Sequence, residues 1–434
     1  MRILVVGGGG REHALLWALR RDAPDGTFFC LPGNAGTARL ATNIQGSATD
    51  VEAVCSTAKE RKVELVVVGP EGPLAAGLAD RLKKVGIPVF GPSQAAARIE
   101  SSKAFAKELM IKAGVPTPRS KAFTELPQTL RYIGEHAEPL VVKASGLAAG
   151  KGAIVCQTRT EARIAATSMI RGGALGQAGA EVLIEDYVHG EELSILAITD
   201  GEHFAVLPPA QDHKRIGEGD TGPNTGGMGA YCPVSIATEK LLTRVGKEVF
   251  KPILKALANS GAPYSGILYA GIMLPEGGGA PQVIEFNCRF GDPEAEAILA
   301  ATPAGLLPVL RMVAEGGFMP GALGRITGKA AVTTVLAAEG YPSAPKLGAK
   351  ITIPPALESA SDVLVFHSGT TLGPGGQLQV SGGRVLAVTA TGPDVAAAAA
   401  RSREASDAIQ FEGKQFRRDI GWREIKRLSG ARAP

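Results

Sequence analysis

Glu285 and Asn287 lie two residues apart near the end of VIEFNCRFGDPE (283–294), a run that opens apolar and closes polar. Alternate residues of a strand share a face, so a carboxylate and a carboxamide oxygen would project together. Such a hard-oxygen pair suits Mg²⁺, which takes one or two protein ligands and completes its shell with phosphate oxygens and water. Arg289 continues the same direction and could clamp a carboxylate or phosphate bidentately. Asp292, Pro293 and Glu294 follow. A polar strand edge would also produce charged residues here, but five polar groups at one strand end favour a site.

Lysines and glycines cluster in VKASGLAAGKG (142–152). A P-loop is excluded, because G-x-x-x-x-G-K-[ST] needs Gly where Ser145 stands and Ser or Thr where Gly152 stands. A glycine loop between two strands can instead fold over a nucleotide, with Lys143 at the strand end and Gly150 and Lys151 on the loop. Upstream, Gly7–Gly10 follows the first strand and PGNAGT (32–37) the second. Glycine turns at helix N-termini let backbone N–H groups approach a phosphate, so Gly9, Gly10, Gly33, Asn34, Gly36 and Thr37 are candidates for a substrate phosphate. A dinucleotide site is disfavoured: from Gly7 the third glycine of G-x-G-x-x-G falls on Glu12, from Gly8 on His13, and no acidic residue follows the second strand. QDHKR (211–215) precedes the glycine-rich DTGPNTGGMG (220–229), and long ordered loops are commonly functional. This marks Asp212 and Lys214. Glu185, Tyr187 and Val188 end an apolar strand as a possible nucleotide hinge, with Glu192 just beyond. His13 and His213 have no i+4 partner and are not read as metal ligands.

The elements that must position these groups alternate. Residues 2–6, Thr27–Leu31, Leu65–Val68 and Pro88–Phe90 read as short apolar strands. Residues 11–22, Val51–Arg61 and Leu74–Val85 read as helices between them. Strand–helix alternation predicts an open parallel α/β sheet over residues 1–100, with its ligand crevice at the carboxyl ends of the strands. A helix at 102–114 and a Pro-rich link lead into an α+β unit: strands 141–145 and 152–156, helix Thr160–Met169, strands Val182–Glu185 and Leu193–Thr199. Residues 207–233 read as an ordered loop, followed by helix Glu239–Ala258 and strands Gly266–Met273 and Gln282–Phe286. Strands Ala331–Ala337, Val363–Phe366 and Arg384–Thr389 and an Ala-rich helix Val395–Ile409 form a last unit. Glycine runs 276–280 and 373–376 read as hairpin turns.

The chain has 434 residues, 45% hydrophobic and 20% charged, which is ordinary globular composition. A formal charge of +4 and 5% aromatics favour neither a nucleic-acid nor a membrane partner. The five scattered cysteines include no CxxC, so a reducing compartment is the simpler reading. The first residues, MRILVVGGGG, carry no cleavable leader pattern, and a cytoplasmic protein is expected.

Taken in order, GREHA (10–14), PGNAGT (32–37), VGPEGPL (68–74), FGPS (90–93), ESSKAF (100–105), VKASGLAAGKG, GEELS (190–194), QDHKR, DTGPNTGGMGAY (220–231) and VIEFNCRFGDPE resemble the phosphoribosylamine–glycine ligase family of ATP-grasp enzymes, over essentially the whole chain. Ser145 stands where many members have Asp, and Gly8 where many have Asn. The resemblance implies a multidomain α/β and α+β chain: an N-terminal open parallel sheet (1–100), an ATP-grasp fold (101–325) with a small lid (about 119–190), and a C-terminal mixed α/β domain (326–434). It implies ATP with Mg²⁺ or Mn²⁺ as cofactors, glycine and 5-phosphoribosylamine as substrates, a glycyl phosphate intermediate, and a monomer or weak homo-oligomer with this one activity. Lys103, Lys143 and Lys151 would then face phosphates, and Glu285 and Asn287 the metal. Arg289 would face the reacting carboxylate or phosphate, Glu185 and Glu192 the adenine amine and ribose hydroxyls. Asp212 and Lys214 would face the glycine or amine side. Three other readings are open to test: another ATP-grasp ligase or carboxylase of nucleotide metabolism using a different acid or amine, which the DHKR and GPNTGGMG loops disfavour; a nicotinamide oxidoreductase, which the failed fingerprint disfavours; and a nucleotide sensor without turnover.

Overall fold

The fold is described from a computed structural model over residues 1–148, 152–171, 173, 175–323 and 328–430. Strand Arg2–Gly7 is the centre of a parallel five-stranded sheet ordered Thr42–Asn43, Thr27–Pro32, Arg2–Gly7, Leu65–Val68, Val89–Phe90. Its β-branched residues are covered on both faces, and Ile3, Leu4, Val5 and Val6 are fully buried. The first strand has the second on one side and the fourth on the other, so the order reverses there and opens a crevice at the strand ends. The helix expected over Leu74–Val85 is two helices, Glu71–Ala75 and Leu78–Lys84. They part at Gly77, whose φ of +88° a helix cannot contain.

The next sheet is antiparallel, ordered Ser120–Phe123, Val182–Asp186, Leu140–Ala144, Ala153–Cys156. Helices Leu126–Glu135 and Arg159–Ile170 close a small core with it around Ile133, Leu140, Val142, Ala162, Ala166 and Ile184. A second antiparallel sheet runs Phe204–Val206, Gly190–Thr199, Gly266–Pro275, Gln282–Asn287. The main cavity lies between these two sheets. Helix Lys103–Ala113 begins at Ser102, whose hydroxyl accepts from Phe105 N, and this cap sets Lys103 at the first helical position. The helix expected over Glu239–Ala258 contains a π turn, Gly246–Phe250, just before Pro252. A proline lacks the N–H of the regular ladder, and the wider turn accommodates it.

A third sheet crosses the expected boundary near 325. Strands Gln211–Asp212 and Gly229–Cys232, from the middle of the chain, pair in line with Ala330–Ala337, Arg384–Gly392 and Val363–His367. Residues 207–233 are thus partly strand, and the third unit is built onto the second. Helix Glu294–Ala301, unforeseen from sequence, packs on one face beside Ala331 and Val335. Helix Val395–Ala408 covers the other, beside Val332 and Leu336. The hairpins at 276–280 and 373–376 are as expected. All five cysteines are buried and unpaired.

Candidate active site

The strand ends, the small antiparallel sheet and the shared sheet enclose a cavity of about 390 Å³. One side is apolar, formed by Ala106, Met110, Leu147, Ala153, Leu183, Ile284 and Phe286. Lys103, Lys143, Lys214, Glu285 and Asn287 line the middle. Arg11, Glu71, Asp212, Gly226, Asp292, Glu294 and Arg384 line the side toward the N- and C-terminal units. A flat base beside cationic groups, followed by a small polar chamber, is what that distribution can hold.

Glu285 lies opposite Gly271, and Asn287 opposite Tyr269, across a pair that carries a bulge between Gly271 and Ile272. A Cβ at residue 271 would come within 3.2 Å of the Glu285 Cγ, so the glycine leaves that carboxylate its room. Burial by itself disfavours ionisation of Glu285. Lys214, Lys143, Lys103 and Arg289 outweigh it and hold its pKa at about 2. Lys214 Nζ stands 3.5 Å from Glu285 Oε1 and also bonds Glu192 Oε1. Although desolvation opposes it, Glu192, Glu285 and Asp212 raise the pKa of the partly exposed Lys214 and fix it as a cation. Asn287 Oδ1 accepts from Arg289 Nη2 at 3.1 Å, which orients the carboxamide. The described residues include no cluster of three or more His, Cys, Asp or Glu able to hold a metal. An ionised carboxylate and an oriented carboxamide oxygen among lysines nonetheless fit a divalent cation that brings phosphate oxygens with it.

The expected site residues separate into three groups. Lys103, Lys143, Asp212, Lys214, Glu285, Asn287, Arg289 and Asp292 are brought together in the cavity wall. Gly150 and Lys151 lie outside the described residues. The remainder stand elsewhere, and several need correcting. Glu185 is buried, with its two oxygens 2.6 Å from Lys143 Nζ and 2.6 Å from Lys107 Nζ. Its carboxylate bridges the two lysines. Tyr187 packs edge-on against His189, and neither it nor Val188 is in the wall. Glu192 sits against Lys214 near Glu285, away from the apolar side. Pro293 packs beneath Gly227, where a Cβ would meet its Cδ at 2.4 Å.

The expected phosphate turn also differs. The Asn34 side chain is engaged at both ends: its Oδ1 accepts from Gly36 N and Thr37 N, and its Nδ2 donates to Gly8 O and His367 O. Gly33 N donates to Gly7 O, Asn34 N to Thr37 Oγ1, and Ala35 N to Thr370 O. The donors of PGNAGT are thus consumed in closing the turn and clasping it to the C-terminal unit, which leaves none for an anion. Gly10 is likewise packed, with a Cβ position 2.5 Å from Glu296 Oε1. Gly9 is nearer the cavity, its Cβ position 3.3 Å from Asp292 Oδ2.

Arg289 is in the cavity wall and is held by protein contacts on all three nitrogens. Nε bonds Glu71 at 3.2 Å, Nη1 bonds Phe290 O, and Nη2 reaches Asn287 Oδ1 and Glu100 Oε1 at 3.1 and 3.0 Å. It is the post that aims Asn287. Sequence reasoning missed Arg11, Glu71, Glu100, Lys107, Glu296 and Arg384. Arg11, Glu71 and Glu100 stand within quoted motifs, so a signal existed. Arg384 sits in SGGRVLAV, which has no chemical pattern, and only sheet pairing brings it to the cavity. Glu294 Oε1 accepts from Ser194 at 3.0 Å and Tyr269 at 2.5 Å. Glu296 is fully buried without a hydrogen-bond partner among the described residues, and burial, then Asp292, raise its pKa. Lys107 is pulled down to about 8 by burial.

Three family models match in sequence order: the phosphoribosylglycinamide synthetase N domain over residues 1–100, its ATP-grasp (A) domain over 101–295 and its C domain over 331–423. A phosphoribosylamine–glycine ligase of Brucella melitensis biotype 1 is 45% identical over 427 residues, covering 98% of this chain and 99% of the relative. One of Escherichia coli O157:H7 is 43% identical over 429 residues, with the same coverage. The crystal structure of a phosphoribosylamine–glycine ligase from Thermotoga maritima superposes with a TM-score of 0.85 at 34% identity, over 97% of this chain and 100% of that one. A Campylobacter jejuni biotin carboxylase shares the fold alone, with a TM-score of 0.75 at 17% identity over 99% and 96% of the two chains.

Proposed function

The chain belongs to the phosphoribosylglycinamide synthetase family and is an ATP-grasp ligase of purine biosynthesis, and from that premise we propose how its cavity divides the labour of joining glycine to 5-phosphoribosylamine. A glycine carboxylate oxygen attacks the γ-phosphorus of ATP, the bond to the β–γ bridging oxygen breaks, and ADP leaves a glycyl phosphate. The amine nitrogen of phosphoribosylamine then attacks the acyl carbon, expels phosphate and loses a proton. Such phosphoryl transfer requires positioning and charge neutralisation more than covalent help.

The single observation that carries this reading is the continuous cavity from the apolar wall, past Lys103 and Lys143, to Glu285 and Asn287. Adenine fits between Met110, Leu183 and Ile284, and the phosphates run toward the lysines. Burial lowers the pKa of Lys103, and its Nζ lies 3.3 Å from Gly146 O at the root of the glycine loop. Glu285 and Asn287 would hold Mg²⁺ or Mn²⁺, and such an ion would neutralise phosphate charge. Glycine belongs beyond, near Asp212 and Lys214. Phosphoribosylamine approaches from the N-terminal strand ends, where Gly9 adjoins Asp292. The acyl phosphate must be shielded from water for the amine to reach it first. We expect small-molecule substrates only, a cytoplasmic location, and a monomer or weak homo-oligomer. Among the described residues no single helix is long and apolar enough to cross a membrane.

The test is ADP release from Mg-ATP, glycine and freshly generated phosphoribosylamine, omitting each in turn. ADP that requires both glycine and the amine is the expected result. ADP formed equally well without glycine would overturn the substrate assignment. No ADP from folded protein would favour the sensor reading.

A further inference from the structure

The segment 213–229 enters the cavity wall with Lys214, Asn224, Thr225 and Gly226, while its outer turn, Glu218–Asp220, lies outside the wall. That turn is gripped by the last part of the chain. Arg417 is 1% exposed and bonds through every guanidinium nitrogen. Nε and Nη2 donate to the two carboxylate oxygens of Asp419 at 2.8 and 2.7 Å, and Nη1 donates to Asp220 Oδ1 at 2.8 Å and to Arg215 O at 3.2 Å. Arg423 Nη2 takes the other Asp220 oxygen at 2.5 Å, and Gly219 N donates to Asp419 Oδ2 at 2.9 Å. Asp220 is held at φ +58°, a left-handed conformation that a residue with a Cβ keeps where its surroundings over-determine it.

The same stretch reaches the residue next to Lys214 and the residue next to its partner. Gly421 N donates to His213 Nε2 at 3.2 Å, and Arg427 Nη2 bonds both oxygens of Glu191 at 3.0 and 2.8 Å. His213 precedes Lys214, and Glu191 precedes Glu192. Lys214 Nζ bonds Glu192 Oε1 and stands 3.5 Å from Glu285 Oε1. Neighbours along a strand face opposite ways, so a grip on Glu191 fixes the backbone from which Glu192 meets Lys214. A lysine ends in a point charge on a four-carbon stem, and it is placed only as well as the backbones on either side of it.

We infer that residues 417–427 form a strap over the outside of segment 213–229, with Arg417 as a positioning residue: by holding Asp220, His213 and Glu191, the strap sets Lys214 between Glu192 and Glu285. This rests on the ligase reading above, and it gives the last part of the chain a role in turnover without contact with any substrate. A buried arginine shared by two aspartates adds little stability over apolar packing of the same volume, which leaves placement as its use. The bidentate and branched bonds of Arg417 suit that use, because a planar guanidinium fixes direction as well as charge.

The test is a double-mutant cycle in the full chain. The kcat/KM for ADP release, and MgADP affinity by titration calorimetry, are measured for Arg417→Lys, Arg427→Met and Lys214→Met, and for each strap variant combined with Lys214→Met. Lysine keeps the charge at position 417 but cannot span Asp419, Asp220 and Arg215 O together. Each strap variant should lower kcat/KM roughly 10-fold, as when a partner that orients a functional group is lost. Where Lys214 is already gone, the same change should cost less than about twofold. Effects that multiply in the double variants would overturn the proposal, because a strap that merely stabilised the fold would act whatever stands at position 214. Wild-type kcat/KM in a folded Arg417→Lys would also overturn it. Arg427→Met, at a partly exposed side chain, decides the matter if Arg417→Lys does not fold. Wild-type protein that binds MgADP yet releases no ADP with glycine and the amine would instead sink the ligase reading, and the calorimetric cycle would still test the strap.

Discussion

Glu285 shows how one residue depends on others that never touch substrate. Its ionisation against burial relies on three lysines and Arg289, and Asn287 beside it is aimed by the same arginine. Arg289→Lys should therefore act through the metal site. A lysine cannot serve Glu71, Glu100, Asn287 and Phe290 O in the planar arrangement of a guanidinium. Apparent Mg²⁺ affinity should fall ~10–100-fold, as when other orienting partners of a metal ligand are lost. Mg²⁺ titration of ADP release would check this, and an unaltered titration curve would show that Asn287 is aimed by something else. Glu285→Gln, which removes the charged ligand, should weaken Mg²⁺ more than Arg289→Lys in the same titration. The motif pointed to Glu285, Asn287 and Arg289 as neighbours. That Arg289 serves Asn287 rather than substrate depends on Glu71 and Glu100, which belong to other helices.

Among the elements, the segment 213–229 holds the cavity to the third sheet. Gly227 has φ +111°, and a Cβ there would meet Pro293 Cδ at 2.4 Å and Asp212 Oδ1 at 2.9 Å. Gly227→Ala should thus destabilise the fold by roughly 1–3 kcal/mol through backbone strain and displace Asp212. Thermal melting together with a glycine titration would read both effects. A rise in glycine KM without change in MgADP binding is expected, and equal weakening of both ligands would mean a general collapse of the loop. The glycine density of this stretch marked it as special in the sequence. The pairing of Gln211–Asp212 and Gly229–Cys232 with Ala330–Ala337 was not legible, because two- and four-residue strands carry too little alternation to predict a partner so far along the chain.

Across the whole molecule, three buried neutral histidines join the units. His13 Nδ1 accepts from His367 N at 2.8 Å, His367 Nδ1 pairs with Thr370 Oγ1, and His213 Nε2 accepts from Gly421 N at 3.2 Å. Burial leads in lowering their pKa values, to about 3 for His13 and His213 and about 4 for His367. The unfolded chain, titrating near 6.5, binds more protons below that pH than the folded one. Stability from these groups is therefore full above about 6.5 and falls as pH drops toward 3 to 4, by about 1.4 kcal/mol per histidine per pH unit. Urea unfolding at pH 7 and pH 5 should show this loss, and His13→Gln should reduce it by about 2 kcal/mol. An identical pH dependence in the variant would assign the acid sensitivity to other groups.

The sequence alone determined the chemistry available and the family. Apolar strand runs, caps and glycine turns are local, and the metal pair, the lysines and the glycine loops keep fixed spacing along the chain. Tertiary structure decided which of those groups remain free to meet a ligand. Hydrogen-bond capacity is finite, and Asn34, Glu185 and Arg289, all plausible ligand contacts by type, are consumed by partners distant in sequence. Arg384 follows the opposite course: an unremarked arginine in an apolar strand, it gains its place because a sheet shared between two units carries it to the cavity with one edge of its guanidinium open.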